Sequence, residues 1–301
     1  MPLVKTLLKD LAEKNYYTAK ALWKYRQRTS LRAFEGQPII DYQMGKVGSS
    51  TVHASLRAMD ARRPIYHVHF LNPQRVREIE DQRRKYFRTA RYSSLRRPWL
   101  YEFLYEEIRK SNRHWKIVTL IREPIARNIS TFFENLEVKP GTSAGQYRVQ
   151  SSYYDFDLEV DVTHLDPLIE LFFARLPHDR PLNYFDDEVK TVFGIDVFAD
   201  AFDPEQGYNI FHGEKAELLL IRLEDLDRCA GAAFREFMGI DGFELIQANR
   251  SEQKVYAPLY REFKASIRFP ESYAERMYES RYARFFYSDE QIRGFREYWR
   301  V

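Results

Sequence analysis

The segment from Ile39 to Leu56, IIDYQMGKVGSSTVHASL, combines residue types that bind anions. An apolar, β-forming run is followed by a turn of glycine and serine that contains a lysine, and then by a helical pattern. Such a turn presents backbone N–H groups and a helix N-terminus to an anion, and its glycines allow close approach. The predicted anion-binding residues are Gly45, Lys46, Val47, Gly48, Ser49, Ser50 and Thr51.

The order of lysine and glycine in this loop differs from the order in nucleotide kinases. The kinase motif is G-x-x-x-x-G-K-[ST], with its lysine after the second glycine, whereas Lys46 precedes Gly48. No acidic residue is evident as a ligand for Mg²⁺, and no spacing of His, Cys, Asp and Glu indicates a metal site. A P-loop kinase acting on a small metabolite is therefore an alternative, and it predicts Mg²⁺-dependent binding of ATP.

A second group of candidate residues lies in TLIREPIARNIS. Arg122 ends an apolar strand pattern, Pro124 suits the first turn of a helix, and Ser130 follows in the early turns of that helix. A guanidinium fork and a hydroxyl in these positions can hold one phosphate from two sides. Arg127 is a further candidate for phosphate binding, with a salt bridge as the alternative.

The elements that must position these residues alternate between strand and helix. This alternation predicts an α/β fold with a central parallel sheet flanked by helices. The first three predicted strands end at Gln43–Met44, near His69–Phe70 and at Arg122. Ligands of such sheets bind beyond the carboxyl ends of the strands, so the candidate residues should meet at one edge. Residues 141–164 contain Gly, Ser and Asp and are predicted to form a loop.

Composition limits the classes of protein to consider. The chain has 301 residues, of which 44% are apolar, and a formal net charge of +3. The near balance of charge disfavours a nucleic-acid-binding protein. Cys229 is the single cysteine, so no disulfide can form within the chain. No apolar run approaches the roughly 20 residues that span a bilayer and no secretory signal is evident, so a cytoplasmic location is expected.

Local charge and hydrophobic patterns predict the organisation of the chain. We predict a basic N-terminal helical extension over 1–34 and a single α/β domain over 35–301, helical from about residue 256. The extension has eight Lys/Arg and two acidic residues, and it either packs on the domain or contacts an anionic membrane surface. Residues 72–97 have nine Lys/Arg and three acidic residues, a composition that suits a solvated face or a groove for an anionic acceptor.

Taken together, these motifs resemble those of sulfotransferases that use 3′-phosphoadenosine-5′-phosphosulfate (PAPS). YQMGKVGSSTV resembles their loop for the 5′-phosphosulfate, and LIREPIARNISTFFENL resembles their 3′-phosphate motif. The segment from Asn183 to Phe211 is similar to a bacterial group of capsular polysaccharide synthesis proteins, and a weaker similarity extends through SEQKVYAPLYREFK and the C-terminal helices. The resemblance implies a P-loop-like sulfotransferase fold, PAPS as co-substrate, no metal, and a hydroxyl acceptor on a carbohydrate.

The resemblance also implies roles for individual residues. The loop would hold the 5′-phosphate, Lys46 would neutralise charge on the oxygen that leaves sulfur, and Arg122 with Ser130 would bind the 3′-phosphate. Lys254 and Tyr256 lie where these enzymes close a loop over the nucleotide. A module of capsule assembly that has the same fold but no catalytic activity is a further alternative, and it predicts that neither PAPS nor ATP binds.

Sulfuryl transfer to a hydroxyl needs a base, and PIYHVHFLN offers two histidines. His67 and His69 are two residues apart, so they share one face of a strand, and an unperturbed imidazole titrates close to neutral pH. We prefer His69 because it is nearer the strand end, although a packed pair of histidines is an alternative. His53 is expected to pack or to face solvent. Alternative bases on the following helix are Glu102, Glu106 and Glu107.

Overall fold

The computed structural model describes residues 16–84, 92–246 and 254–301. Residues 1–15 of the predicted N-terminal extension, 85–91 of the basic segment and 247–253, which include the start of SEQKVYAPLYREFK, lie outside the described residues. The helices are α1 (Tyr16–Arg32), α2 (Ser49–Met59), α3 (Pro73–Arg84), α4 (Tyr92–Lys110), α5 (Pro124–Glu134), α6 (Asp166–Arg175), α7 (Arg180–Tyr184), α8 (Thr191–Phe193), α9 (Leu226–Met238), α10 (Ala257–Ser266), α11 (Glu271–Tyr278), α12 (Arg281–Phe286) and α13 (Asp289–Trp299). The strands are β1 (Ile39–Tyr42), β2 (Ile65–Val68), β3 (Trp115–Ile121), β4 (Glu137–Pro140), β5 (Gln146–Ser151), β6 (Phe156–Asp161), β7 (Tyr208–His212) and β8 (Ala216–Arg222).

The larger sheet has the strand order β2-β1-β3-β8-β7. Its first four strands are parallel, and β7 pairs antiparallel with β8 at the edge. β3 and β8 are buried along almost their whole length, as expected for central strands covered by helices on both faces. The predicted α/β fold with a parallel-rich sheet and flanking helices is confirmed, and β7 is an addition that the sequence did not indicate.

The prediction of a loop over residues 141–164 is wrong. β5 and β6 form an antiparallel hairpin there, and β4 extends it to a three-stranded sheet. Val149 and Val160 are buried from this sheet into the core, while Arg148 and Asp157 form an ion pair of 2.7 Å on its outer face. Because polar residues occupy the outer face and the turns, the composition resembled that of a loop although the period of two was present.

The strand order creates a crevice beside β1. β2 lies on one side of β1 and β3 on the other, so the connections after β1 and β3 leave the sheet in opposite directions. A ligand site in an open α/β sheet lies at this kind of switch point, outside the carboxyl ends of the strands. The loop after β1 carries Lys46, and β3 is followed at once by Arg122.

Helix α1 lies against α4, and its basic side chains face acidic ones. Lys24 Nζ is 3.0 Å from a Glu106 oxygen, and Arg28 Nε is 2.6 Å from a Glu107 oxygen. These pairs correct the proposal of Glu102, Glu106 and Glu107 as alternative bases, because the three carboxylates bind Lys20, Lys24 and Arg28 and none of them lines the site described below. Among the described residues, no helix is both long and apolar enough to cross a membrane.

Candidate functional site

A cavity of about 620 Å³ lies at the carboxyl edge of the sheet, where the loops after β1, β2 and β3 meet. Seven basic and three acidic side chains line it, so the cavity favours an anionic ligand. The lining includes both candidate histidines, His67 and His69. It also includes every predicted cofactor-binding residue except Val47 and Tyr256. The basic residues are Lys46, Arg75, Arg97, Arg122, Arg127, Arg180 and Lys254, and the acidic residues are Glu134, Asp187 and Glu188.

The loop after β1 is shaped by three residues with positive φ. Gly45, Lys46 and Gly48 have φ angles of 83°, 64° and 84°. At position 48 the positive φ favours glycine, and a Cβ there would also lie 2.6 Å from Leu223 Cδ1, so that side chain would have to move. Gly48 is also the N-cap of α2, where it forms no side-chain cap hydrogen bond. Val47 is fully buried in the core, away from the cavity.

Two arginines hold this loop through its carbonyl groups. Arg127 is 2% exposed and donates from Nη2 to the Met44 carbonyl at 3.0 Å. Arg122 donates from Nη1 to the Lys46 carbonyl at 3.1 Å. Burial lowers the pKa of Arg127 to about 10, so the guanidinium remains charged at neutral pH. Arg127 therefore supports the loop and also lines the cavity, so phosphate binding by Arg127 stays a prediction.

Lys46 shares a carboxylate with Lys254. Glu134 Oε2 lies 2.9 Å from Lys46 Nζ and 2.5 Å from Lys254 Nζ. Burial lowers the pKa of Lys46 and outweighs the opposing effect of Glu134. Burial acts to raise the pKa of Glu134, but the hydrogen bonds from Lys254 and Lys46 are stronger together and lower it. Glu134 thus orients both lysines along the cavity wall.

Ser130 lies on the face of α5 that lines the cavity. The start of this helix is fixed by Glu123, whose carboxylate accepts from the backbone N–H groups of Ile125 at 2.8 Å and Ala126 at 2.6 Å. The hydroxyl of Tyr282 donates to the carbonyl of Arg122 at 2.9 Å. Burial raises the pKa of Glu123. The structure therefore brings Arg122 and Ser130 to one cavity on a rigid strand-to-helix turn.

The two candidate histidines have different partners. His69 lines the cavity, and its Nδ1 lies 3.0 Å from the carbonyl oxygen of Gln43. His67 is directed at Asp41, with 3.8 Å between Nε2 and Oδ2. Burial lowers the pKa of His69, and it lowers the pKa of His67 to about 4. His53 also faces Asp41, so it does not merely pack or meet solvent.

Residues 157–288 match one family model. Its description is "Putative capsular polysaccharide synthesis protein", and the match covers less than half of the chain. No curated protein and no solved structure gives a significant match. Over these residues the chain is therefore similar to proteins of capsular polysaccharide synthesis.

The matched region supplies one wall of the cavity, although the loop and the histidines lie outside the match. Arg180, Asp187 and Glu188 come from α7 and the π-helical turn Phe185–Lys190 that follows it. Glu188 is 3% exposed, and its carboxylate accepts from the N–H groups of Leu71 and Asn72, both at 2.8 Å. It also accepts from the hydroxyl of Tyr42. Glu188 thereby fixes the segment that follows β2 and His69.

Replacing Glu188 by Ala is expected to destabilise the fold by at least about 2 kcal/mol. The change leaves the Tyr42 hydroxyl and two backbone N–H groups without their acceptor, and each unsatisfied buried donor costs about 1–3 kcal/mol. Urea unfolding followed by circular dichroism measures the loss. Glu262→Ala, at an exposed helix position, is the control and should change stability by less than about 0.5 kcal/mol. A loss for Glu188→Ala as small as that of the control would show that these contacts do not hold the loop.

The remaining predicted cofactor residue, Tyr256, lies behind the cavity wall. Its ring packs on Phe133 with 5.7 Å between centroids, while Lys254 reaches the cavity. The sequence reasoning missed Glu134 and Glu188. Glu134 is one helical turn beyond Ser130 and so lies on the same face, which is a signal that the sequence did contain. Glu188 had no such signal, because its partners are more than 100 residues away in the chain.

Proposed function

We propose that this protein transfers a sulfuryl group from PAPS to an acceptor hydroxyl on a carbohydrate. The observation that carries the proposal is the meeting of two anion-binding groups at one cavity. The loop after β1 with Lys46 lines one part of it, and Arg122 with Ser130 lines another. A donor nucleotide with phosphate groups at its 3′ and 5′ positions matches two such groups, whereas ATP carries its phosphates in one chain.

The charge and size of the cavity support this ligand. Seven basic side chains against three acidic ones suit a nucleotide that carries two phosphates and a sulfate. The volume of about 620 Å³ lies within the range of roughly 300–1,000 Å³ typical of small-molecule sites. Lys46 precedes Gly48, so its ammonium group extends from the middle of the loop. In kinases the lysine follows the second glycine and extends from the start of the helix.

The proposed reaction is an in-line displacement at sulfur. The acceptor oxygen forms a bond to sulfur while the bond between sulfur and the bridging oxygen of the donor breaks, and 3′-phosphoadenosine-5′-phosphate leaves. Lys46 stabilises the negative charge that develops on the bridging oxygen. His69 takes the proton of the attacking hydroxyl on Nε2, because the Gln43 carbonyl 3.0 Å away holds the proton on Nδ1.

The acceptor side of the cavity supports a carbohydrate with negative charges. Arg75, Arg97 and Arg180 line the cavity together with His69. Arg75 stacks over the ring of Phe70 at 4.7 Å, which presents a flat apolar surface beside a cation. The similarity of residues 157–288 to a capsular polysaccharide synthesis family supports a polysaccharide as the acceptor class.

Calorimetry with three nucleotides tests the donor assignment. We expect 3′-phosphoadenosine-5′-phosphate to bind more tightly than adenosine 5′-phosphate and more tightly than ATP with Mg²⁺. Ser130→Ala should weaken binding of the bisphosphate by about 10- to 20-fold, and Arg122→Ala by about 10- to 100-fold, since hydrogen bonds to charged groups contribute about 1.5–3 kcal/mol. Binding of adenosine 5′-phosphate to Ser130→Ala should be unchanged, because that ligand lacks the 3′-phosphate.

Two exposed positions outside the cavity provide matched controls. Ser143→Ala and Arg235→Ala should bind both nucleotides as the wild type does. Arg122→Ala also removes the bond to the Lys46 carbonyl, so Ser130→Ala is the cleaner probe of the 3′-phosphate. Tighter binding of ATP with Mg²⁺ would favour the kinase alternative, and a failure of all three nucleotides to bind would favour a non-catalytic module.

A further inference from the structure

We propose that Asp41, His53 and His67 bind a divalent transition-metal ion of the zinc class between α2 and the sheet. This site lies beside the cavity and shares only His67 with its lining, so the inference does not depend on the proposed function. Each ligand comes from a different element: Asp41 from β1, His67 from β2 and His53 from α2. Asp41 and His67 are register partners in the parallel pair of strands, and α2 places His53 over them.

Two of the three distances among these side chains approach those of a metal site. Asp41 Oδ2 lies 3.3 Å from His53 Nδ1 and 3.8 Å from His67 Nε2, and all three atoms lie within 4.8 Å of one another. Ligands about 2.0–2.1 Å from one zinc ion in tetrahedral geometry are roughly 3.3–3.4 Å apart. Side-chain movements of a few tenths of an ångström therefore bring the two closer pairs of ligand atoms to this separation.

The three atoms are also buried without hydrogen bonds. Asp41 is fully buried, and among the described residues none donates to its Oδ2 or bonds to His53 Nδ1 or His67 Nε2. An unsatisfied carboxylate oxygen in the interior is unfavourable, and two unsatisfied ring nitrogens beside it add to the cost. One divalent cation at the point where they converge satisfies all three at once.

A supporting shell orients the carboxylate. Gln43 donates from Nε2 to Asp41 Oδ1 at 2.7 Å, and its own Oε1 accepts from the Leu120 N–H at 2.8 Å. This leaves Oδ2 to face the histidines. The rings of His53 and His67 are stacked, with 5.0 Å between centroids and an angle of 25°. Outer hydrogen bonds of this kind are a usual feature of metal sites, where they fix the orientation of the ligands.

The ligand set indicates the class of ion. Two imidazoles and one carboxylate suit zinc and neighbouring divalent metals, whereas Mg²⁺ and Ca²⁺ prefer sites made of oxygens. Three protein ligands leave a fourth position for water. An ion there ties the helix that begins at the anion-binding loop to the two strands beneath it. No sequence pattern indicates this site, because its ligands come from three separate elements instead of one short motif.

The test uses the full-length protein freed of metal with a chelator and titrated with ZnCl₂ by calorimetry at neutral pH. We expect one ion per chain, and a rise of Tm of about 3–6 °C when free Zn²⁺ is near 100 times Kd. Co²⁺ should give visible absorption typical of a four-coordinate site. His53→Ala should weaken Zn²⁺ binding by more than about 100-fold, exceeding the 10–100-fold loss typical of a second-shell change.

Further variants separate this site from metal bound elsewhere. Asp41→Asn should weaken binding at least as much as His53→Ala does, and Gln43→Leu should weaken it by about 10- to 100-fold. His114→Ala and His164→Ala, at other histidines, should bind Zn²⁺ like the wild type. No stoichiometric binding by the wild type, or unchanged binding by His53→Ala, overturns the proposal. If Asp41→Asn fails to fold, Zn²⁺ binding by His53→Ala alone decides between the outcomes, because the His53 side chain is partly exposed and its replacement should be tolerated.

Discussion

Lys46→Ala is expected to lower kcat for sulfuryl transfer by about 10²- to 10³-fold, the usual effect of removing one group that stabilises charge in the transition state. Mass spectrometry of 3′-phosphoadenosine-5′-phosphate released from PAPS, with a panel of neutral and acidic glycans as acceptors, measures the rate. The dissociation constant for the released nucleotide should change far less, because the backbone of the loop and the 3′-phosphate residues remain.

The contacts of Lys46 make this expectation specific. Its side chain is 26% exposed and its Nζ is held by Glu134, so the cation is already oriented before the donor arrives. Lys46→Arg should rescue little of the rate, since a planar guanidinium does not replace a compact ammonium at a single oxygen. Lys215→Ala, whose lysine lies at the start of β8 on the opposite edge of the sheet, is the control. Full activity of Lys46→Ala would refute the proposed mechanism.

His69→Ala is expected to lower kcat by about 10²- to 10⁴-fold, the contribution of a well-placed general base. Calorimetry should show unchanged binding of 3′-phosphoadenosine-5′-phosphate, because His69 faces the acceptor and not the phosphates. The physical reason for choosing His69 over His67 is its fixed tautomer: the Gln43 carbonyl occupies Nδ1, while His67 is directed at Asp41.

The control for this prediction is a histidine at the other end of the sheet. His114 precedes β3 and contacts Gln37, so His114→Ala should retain the wild-type rate within about twofold, as surface substitutions usually do. A His69→Ala enzyme that keeps more than a tenth of the wild-type rate would assign proton transfer to another group. Both variants should melt within a few degrees of the wild type if their effects are local.

Local chemistry explains which parts of the fold were predictable. The parallel strands were recognisable as short apolar runs. A side chain able to bind an anion or to transfer a proton lies at or just beyond the end of three of them, so Lys46, His69 and Arg122 could be placed at one edge. The C-terminal part predicted to be helical from about residue 256 consists of α10 to α13, and Pro270 and Ser288 are the N-caps of α11 and α13. The β4–β6 sheet was missed because polar residues on its exposed face obscured the alternation of Val149 and Val160.

The candidate site was predictable only where its residues belong to one motif. Lys46 and its neighbours share a single turn, and Arg122 and Ser130 share one strand-to-helix connection. Glu188 reaches the loop after β2 from a region more than 100 residues further along the chain. Its role depends on packing, which leaves no periodic pattern in the sequence.

The sequence by itself determined the α/β class, the anion-binding loop and the set of residues able to contact a second phosphate. These features follow from backbone geometry and residue type over a few neighbouring positions. Only the tertiary structure decided that Glu134 joins Lys46 to Lys254 and that Arg127 supports the loop. It also decided that His67 turns towards Asp41 while His69 contacts the Gln43 carbonyl. These choices depend on which side chains are brought together by burial, and local sequence cannot specify that.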